Sequence, residues 1–376
     1  MNRKLIATLG VAVFALCASA CGEDATIPAG TGKATPVHTK LSEYGLFTDL
    51  TESGAVLTPA VGGIPYDLNT PLFSDYSLKY RVLHIPEGTQ AHYREREVFE
   101  FPVGTIISKT FSFPADLREP EKDVRRVETR LLIHQPQGWT ALAYIWNDEQ
   151  TEATAAYGGR VTKIGLVNTG GESLEFNYAV PAKNQCGTCH HLYKEVEQTG
   201  RTVRKQMILP IGPKARHINK SYEYPEKGSG NQIEYLAQAG KLTKLPLFGG
   251  IPRMADYSDE TKSVDERARA YLDANCGHCH TQGNSTGINS KLLLDIHEND
   301  WTNLGVCKTP GSAGKGGGGL RYDIVPGSPE DSILYFRTAS VDPGAMMPQL
   351  GRSLAHTEGV ELLYRWIAEM PQKDCP

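Results

Sequence analysis

The sequence predicts an α+β fold in several domains, with a β-rich N-terminal domain followed by two mainly α-helical segments. Two observations predict this division. Alternating or β-branched and aromatic runs, separated by Pro and Gly turns, fill the chain between residues 41 and 180. After Pro181 the sequence changes to short amphipathic stretches joined by loops that contain Gly and Pro. We therefore expect folded domains at 41–180, 181–254 and 255–376.

The composition describes a chain long enough for more than one hydrophobic core. It has 376 residues and a net charge of −4, with 39 basic and 43 acidic residues. Because the charges are nearly balanced and no basic run stands out, we do not expect nucleic acid as a partner.

The first 20 residues have the pattern of a secretory signal peptide. Two basic residues precede an apolar stretch that ends at Leu16 and is too short to span a bilayer. Cleavage before Cys21 resembles the processing of bacterial lipoproteins, whose first mature cysteine is acylated, although Ala18 stands where these usually have Leu. We expect export to the periplasm, a lipid on Cys21 as the membrane anchor, and a polar tether at 21–40. Ordinary signal cleavage at the same bond is the alternative.

The β-rich domain is predicted from three runs of residues. Val98–Phe101, Thr105–Phe111 and Thr140–Trp146 are rich in β-branched and aromatic side chains, with turn residues between them. We expect these runs to belong to a sandwich or a barrel-like sheet that serves as a docking or positioning module.

Helices are expected in the C-terminal half. One covers Asn231–Ala239, and Ser263 with Glu266 fits a capping box for another that runs into Cys276. A helix capped by Thr357 should pack on the one before Cys276.

Two pentapeptides carry the chemistry of this chain. They are Cys186-Gly187-Thr188-Cys189-His190 and Cys276-Gly277-His278-Cys279-His280. Cys-x-x-Cys-His is the attachment signature of a c-type haem, because cysteines three positions apart lie on one side of a helical turn and can both bond one porphyrin. The adjacent histidine is the proximal iron ligand. We therefore expect two covalently bound haem c groups, held by the four motif cysteines, with His190 and His280 as iron ligands.

A zinc site is the main alternative. Two Cys-x-x-Cys pairs would supply four thiolates, but ribbon pairs usually lie about 15–20 residues apart. Here Cys189 and Cys276 are 87 positions apart. Zinc also gives no reason for a histidine directly after each pair. A redox disulfide within the pairs is the other alternative.

The sixth iron ligand decides whether a haem only passes electrons or also binds small molecules. For the first haem the candidates are Met207, Met254, His191 and His217. We choose Met207, because its Met-Ile-Leu-Pro-Ile-Gly string loosely repeats the Met-Pro-Gln-Leu-Gly string that begins at Met347.

The remaining cysteines allow one disulfide. Cys17 leaves with the signal peptide, and acylation of Cys21 leaves Cys307 and Cys375. A bond between these two would tie a loop to the C-terminus.

The C-terminal region resembles small c-type cytochromes. The Ala345–Gly351 stretch looks like their distal-methionine loop, and the match places the second iron's ligand at Met347, before Pro348, and not at Met346. This likeness predicts that the segments after residue 180 are mainly α-helical cytochrome c-like haem domains.

The whole mature chain resembles a little-characterised family of bacterial exported two-haem c-type cytochromes with a β-rich N-terminal domain. The strings that carry the likeness are Pro71–Tyr76, Phe101–Thr105, Asn184-Gln185-Cys186, Gly212–Arg216 and Arg267–Leu272. The resemblance implies haem binding and electron transfer, and it implies no substrate.

The leading functional hypothesis is a dihaem cytochrome that carries electrons between periplasmic or membrane-associated redox partner proteins. We expect an electron-transfer protein more than a catalyst, and we assign no catalytic residue. The alternative is a two-haem peroxidase-like enzyme with an open distal site at the first haem. A third hypothesis is a binding module whose β domain recognises a surface polymer.

Overall fold

The computed structural model describes residues 34–247, 250–311 and 313–376. The predicted signal peptide, Cys21 and most of the predicted tether lie outside these residues. In the described part of the chain, no helix combines the length and the apolar character needed to cross a membrane.

Residues 41–180 form one open antiparallel sheet and a separate hairpin. Before the first motif the strands are β1 (Gly63–Tyr66), β2 (Leu78–His84), β3 (Ala91–His92), β4 (Ile106–Phe113), β5 (Arg125–Gln135), β6 (Gly138–Trp146), β7 (Ala153–Ala155), β8 (Arg160–Val167) and β9 (Ser173–Val180). The six-stranded sheet has the order β1-β2-β4-β5-β6-β7, and β8 pairs only with β9. Because β1 and β7 are opposite edges, the sheet is not a closed barrel. The β8–β9 hairpin shares a core with one face of the sheet, where Phe176 and Tyr178 pack with Phe111.

Two of the three predicted strand runs are confirmed. Thr105–Phe111 lies largely in β4, and Thr140–Trp146 lies within β6. Val98–Phe101 does not form a strand and makes only isolated bridges, such as the one between Val98 and Lys214. Its aromatic residues are buried in the core instead, so their spacing reflects burial and not strand pairing.

The two faces of the main sheet are covered by different parts of the chain. Val82 and Leu131 on one face pack against the N-terminal segment, including Leu41. On the other face, Leu83 and Ile107 share a core with residues that follow the first motif. Since side chains alternate between the faces of a strand, neighbouring residues of β2 serve two different cores.

Residues 181–254 are mainly β-structure and loops. Their elements are a 3-10 helix (Lys183–Gln185), α1 (Cys186–His190), β10 (His191–Gln198), β11 (Arg201–Ile208), α2 (Ala215–Ile218), β12 (Ser221–Tyr224), β13 (Gly228–Asn231), α3 (Gln232–Gln238) and β14 (Leu242–Thr243). The strand pairs are β10 with β11, β12 with β13, and β14 with β3 in parallel. The α3 helix confirms the predicted helix, and Asn231 caps it by accepting two backbone hydrogen bonds.

The prediction of mainly helical cytochrome c-like domains is wrong. Of the residues that the structure describes, 29% are in strands and 19% in helices, with several antiparallel sheets. The clearest case is the β10–β11 hairpin directly after His190, in which Val196 lies opposite Val203. Its turn residues, Thr199 and Gly200, both have positive φ angles, at 51° and 75°. A two-residue turn of this kind matches the twist of paired strands and favours a hairpin over a helix.

The C-terminal segment contains short helices separated by long loops, so it is not mainly helical either. Its elements are α4 (Val264–Asn275), α5 (Ser285–Ser290), α6 (Ile333–Ala339), α7 (Thr357–Ala368) and two 3-10 helices (Gly314–Gly317, Pro329–Asp331). A further 3-10 helix, Ser42–Tyr44, precedes β1. The capping box of α4 is confirmed, since Ser263 and Glu266 exchange hydrogen bonds. The N-cap of α7 is His356 and not Thr357.

Helices α4 and α7 pack on each other as expected. The Trp366 Nε1 group donates a 2.8 Å hydrogen bond to Oδ1 of Asp265. Gly359 allows the close approach, because a Cβ atom at this position would lie 2.6 Å or less from the Tyr271 ring. The predicted disulfide between Cys307 and Cys375 is confirmed and ties the C-terminal tail to the loop beside this helix pair.

Candidate functional site

Both motifs line one cavity of about 620 Å³. The main sheet, the motifs and the C-terminal loops all contribute to its wall. The residues of the two motifs that face it are Cys186, Thr188, Cys189, His190, Cys276, His278, Cys279 and His280. All six predicted haem-attachment residues and proximal ligands are therefore brought to a single site.

The first motif forms α1, a short helix that follows β9 and a 3-10 helix in the chain and leads directly into the β10–β11 hairpin. Nδ1 of His190 lies 2.8 Å from the carbonyl oxygen of Leu209. Since a carbonyl oxygen only accepts hydrogen bonds, Nδ1 carries the proton and donates it. Nε2 therefore keeps its lone pair, and it makes no hydrogen bond with any residue that the structure describes.

The second motif follows α4 and has the same arrangement. Nδ1 of His280 donates to the carbonyl oxygen of Leu292 at 3.1 Å. Burial lowers the pKa of His190 and of His280 to about 4. Both imidazoles are therefore neutral near pH 7, with Nδ1 bound to backbone and Nε2 available as a donor to a metal.

The two motifs touch each other. Sulfur and nitrogen atoms of Cys189, His278 and Cys279 all lie within 4.8 Å of one another. The Cys279 thiol also contacts the Thr188 carbonyl oxygen at 3.6 Å. Groups attached to the two motifs would therefore be neighbours.

The structure does not form the four-thiolate set that a zinc ribbon would need. All four motif cysteines are free, so no redox disulfide joins them. Among the described residues, the group that could hold a metal ion includes neither Cys186 nor Cys276. Burial raises the pKa of the Cys276 thiol to about 12, which disfavours the thiolate that zinc requires.

Met347 faces the cavity and lies near the second motif. It also lines a small adjoining pocket together with Cys276 and Thr338. The backbone of this loop is fixed on both sides, because Met347 N donates to Arg337 O at 2.9 Å and Arg352 Nη2 donates to Met347 O at 2.9 Å. Met346 is buried and does not line the cavity. The geometry therefore favours Met347 over Met346.

The structure does not bring Met207 to the cavity. It lies on β11 opposite Leu192 and its side chain points toward Gly138. Met254 is buried beside Ala270 and Ala274 and does not line the cavity either. His191, at the start of β10, packs against Gly187. Of the four candidates for the first iron, these three are therefore placed elsewhere.

His217 is the remaining candidate, and it lines the cavity. Its Nε2 lies 2.7 Å from Oδ2 of Asp273, and Arg216 binds the same carboxylate through Nε and Nη2 at 2.9 and 3.0 Å. A carboxylate only accepts, so Nε2 of His217 carries the proton and Nδ1 keeps its lone pair. Nδ1 has no hydrogen-bond partner among the described residues.

Charge explains why this buried network is stable. Burial raises the pKa of Asp273, but the hydrogen bonds from His217 and Arg216 and the charge of Arg216 outweigh it and hold the pKa well below its usual value. The carboxylate therefore stays ionised and fixes the His217 ring. The local sequence signal was only the adjacent pair of Arg216, which ends the Gly212–Arg216 stretch, and His217. Their common partner, Asp273, lies 56 positions after His217.

In comparisons with protein-family models, curated proteins and solved structures, no match was found.

Proposed function

We propose that this chain is an exported two-haem c-type cytochrome that carries electrons between redox partner proteins. The observation that carries the proposal is that the two motif histidines have the same hydrogen bonding and the same protonation. His190 and His280 both line one cavity, and each donates Nδ1–H to a backbone carbonyl, which leaves Nε2 unprotonated. This is the orientation that backbone or carboxylate partners impose on histidines that ligate metals.

The cavity fits the proposed groups in its chemistry. Each motif offers two free cysteines and one neutral imidazole at the cavity wall. The wall also includes apolar side chains and small residues of the main sheet, among them Ala141 and Ala143. When bound, haem c supplies an iron that cycles between Fe(III) and Fe(II). The protein's part is to hold it, orient its ligands and limit its contact with water.

The contact between the motifs supports a relay within one chain. Because Cys189 and Cys279 are neighbours, the groups attached to them would share one cavity. An electron accepted near one motif therefore has a short route to the other. This arrangement fits a carrier that has separate entry and exit sides.

For the iron at the second motif we propose Met347 as the sixth ligand. The structure holds its backbone by hydrogen bonds from both sides and turns the residue toward the cavity near Cys276. Thioether ligation raises the reduction potential of a haem.

For the iron at the first motif we propose His217 in place of Met207. His217 is the candidate that faces the cavity, and the Asp273 carboxylate leaves its Nδ1 as the free ring nitrogen. Carboxylate partners of this kind orient metal-binding histidines and raise their basicity.

Export is part of the same proposal. The Cys307–Cys375 disulfide supports it, since disulfides persist in oxidising compartments such as the periplasm. A lipid on Cys21 would supply the membrane attachment. Mass spectrometry of the N-terminal peptide from native membranes tests this part directly.

The central experiment is the mass of the intact chain after production in a host competent for cytochrome c assembly. We expect the added mass of two haems. The double variant Cys186→Ala/Cys189→Ala and the double variant Cys276→Ala/Cys279→Ala should each carry one. As a matched control, Cys307→Ala/Cys375→Ala should carry two.

A chain without added haem, or with bound zinc instead, would overturn the proposal. Spectroscopy then separates the carrier from the peroxidase-like alternative. Low-spin signals from both irons and no consumption of peroxide support the carrier. A high-spin iron at the first motif together with peroxide consumption supports the enzyme.

A further inference from the structure

Three cationic side chains form one row across the main sheet. Arg81 on β2 lies directly opposite Lys109 on β4, and Lys109 lies opposite Arg130 on β5. All three line the cavity that contains the motifs. The next residue in the row, opposite Arg130, is Ala143. A small residue at this point leaves open space beside the charges.

The acidic side chains near this row do not neutralise its positive charge. Arg81 pairs with Asp67 through Nη1 at 3.0 Å, while its Nη2 is buried and has no partner among the described residues. Arg130 binds the fully buried Glu128 through Nε and Nη2. Lys109, in the middle of the row, makes no hydrogen bond or ion pair with any residue that the structure describes, and its Nζ lies 4.7 Å from the Phe111 ring centroid.

Like charges directly opposite each other destabilise a sheet. The row lies in the wall of a cavity and the Arg81 side chain is only 4% exposed, so these charges interact more strongly than they would in water. The neighbouring Lys79 adds to the positive field, with its Nζ 5.9 Å from the same Phe111 ring. Burial and the nearby cations Arg81, Lys79 and Arg130 lower the pKa of Lys109. An anionic group bound at the row would relieve the repulsion between these cations.

We infer that Arg81, Lys109 and Arg130 form a carboxylate-binding site for the propionate groups of the porphyrin held by the first motif. The inference rests on the proposed function. Cys186 lines the same cavity as this row, and Arg130 is near enough for its charge to act on the Cys186 thiol. A c-type haem brings two carboxylates into any site that binds its ring. The β-rich domain would then be part of the haem site and would tune the iron through its charge.

The test compares the wild type with Lys109→Met, with Lys194→Met as a charge-matched control on the exposed surface of β10. The wild type and each variant are produced with haem, and the masses of the intact proteins are measured. The reduction potentials of both haems are then followed by optical titration. Positive charge near a haem favours the reduced iron, so we expect the potential of one haem to fall in Lys109→Met. Both potentials should be unchanged in Lys194→Met, and Lys109→Arg should restore the wild-type value.

A second experiment tests whether the row binds a free carboxylate instead of the propionates. Succinate is added to the wild-type protein with haem bound. If propionates occupy the row, succinate leaves the spectrum and the potentials unchanged. A succinate response that disappears in Lys109→Met would overturn the inference in favour of a free anion.

Failure of the inference and failure of the proposed function give different results. Two attached haems with both potentials unchanged in Lys109→Met, and unchanged again in Arg81→Gln, would overturn the propionate site and leave the cytochrome proposal standing. A change from low-spin to high-spin iron in Lys109→Met would assign this amine to the iron and also overturn it. Absence of attached haem in the wild type would overturn both.

Discussion

The Nε2 atom of His217 lies 2.7 Å from Oδ2 of Asp273, in a buried network that Arg216 completes. The contact joins α2, which packs beside the main sheet, to α4, which leads into the second motif. It orients a ring nitrogen at the wall of the cavity that contains both motifs. One hydrogen bond therefore links the packing of two segments to the chemistry of the site.

Replacing His217 by Ala should change one haem and leave the other unaffected. We expect both haems to stay attached, because attachment depends on the motif cysteines, while one iron changes from low-spin to high-spin. Electron paramagnetic resonance of the oxidised protein measures this change. Met207→Ala is the control and should leave the spectrum unaltered. A high-spin iron in Met207→Ala and an unchanged spectrum in His217→Ala would show that Met207 is the ligand.

Replacing Asp273 by Asn should destabilise the fold. The change leaves the buried guanidinium of Arg216 without its carboxylate, and breaking a buried ion pair in this way costs about 3–5 kcal/mol. Arg216 and Asp273 are only 4% and 1% exposed, so solvent gives little compensation. Urea unfolding of the protein with haem bound measures the difference.

The control for this change is Asp265→Asn on the same helix. Asp265 is exposed and accepts a hydrogen bond from Trp366, which an Asn oxygen also accepts. Its effect should stay within about 0.5–1 kcal/mol. Equal effects of the two variants would show that the ion pair contributes little.

Replacing Met347 by Ala should lower the potential of the haem at the second motif. The thioether raises the potential when it ligates iron, so its loss lowers the potential and opens the sixth position. A redox titration with optical detection measures the shift. Met346→Ala is the matched control: it removes a buried side chain and should cost stability, about 2–5 kcal/mol, without altering either potential. An unchanged potential in Met347→Ala would refute the assignment.

Removing the disulfide should lower stability without affecting the haem sites. Cys307 and Cys375 are separated by 68 positions. Opening a loop of this length costs roughly 4 kcal/mol in the chain-entropy treatment of disulfides. The urea midpoint of Cys307→Ser/Cys375→Ser, compared with the wild type, measures the loss. Lys373→Ala, an exposed change in the same tail, should have no effect, and a double variant as stable as the wild type would show that the bond is not needed.

The sequence predicted well wherever the signal is local. The capping box of α4, the helix after Asn231 and the spacing of the two motifs each depend on residues a few positions apart. The β10–β11 hairpin was equally local, with alternating residues around Thr199-Gly200, but the expectation of helical haem domains took precedence over it. That error came from interpreting the short stretches after Pro181 as helices and from the likeness to small c-type cytochromes, and not from a missing signal.

The amino-acid sequence by itself determined the chemical content of the site: two Cys-x-x-Cys-His motifs and a methionine before a proline. The tertiary structure alone decided which distant residues join them. His217 meets Asp273 across 56 positions, and Arg81, Lys109 and Arg130 meet only through the register of three strands. The physical reason is that hydrogen-bond register and core packing depend on the whole fold, whereas caps, turns and attachment motifs depend on their nearest neighbours in the chain.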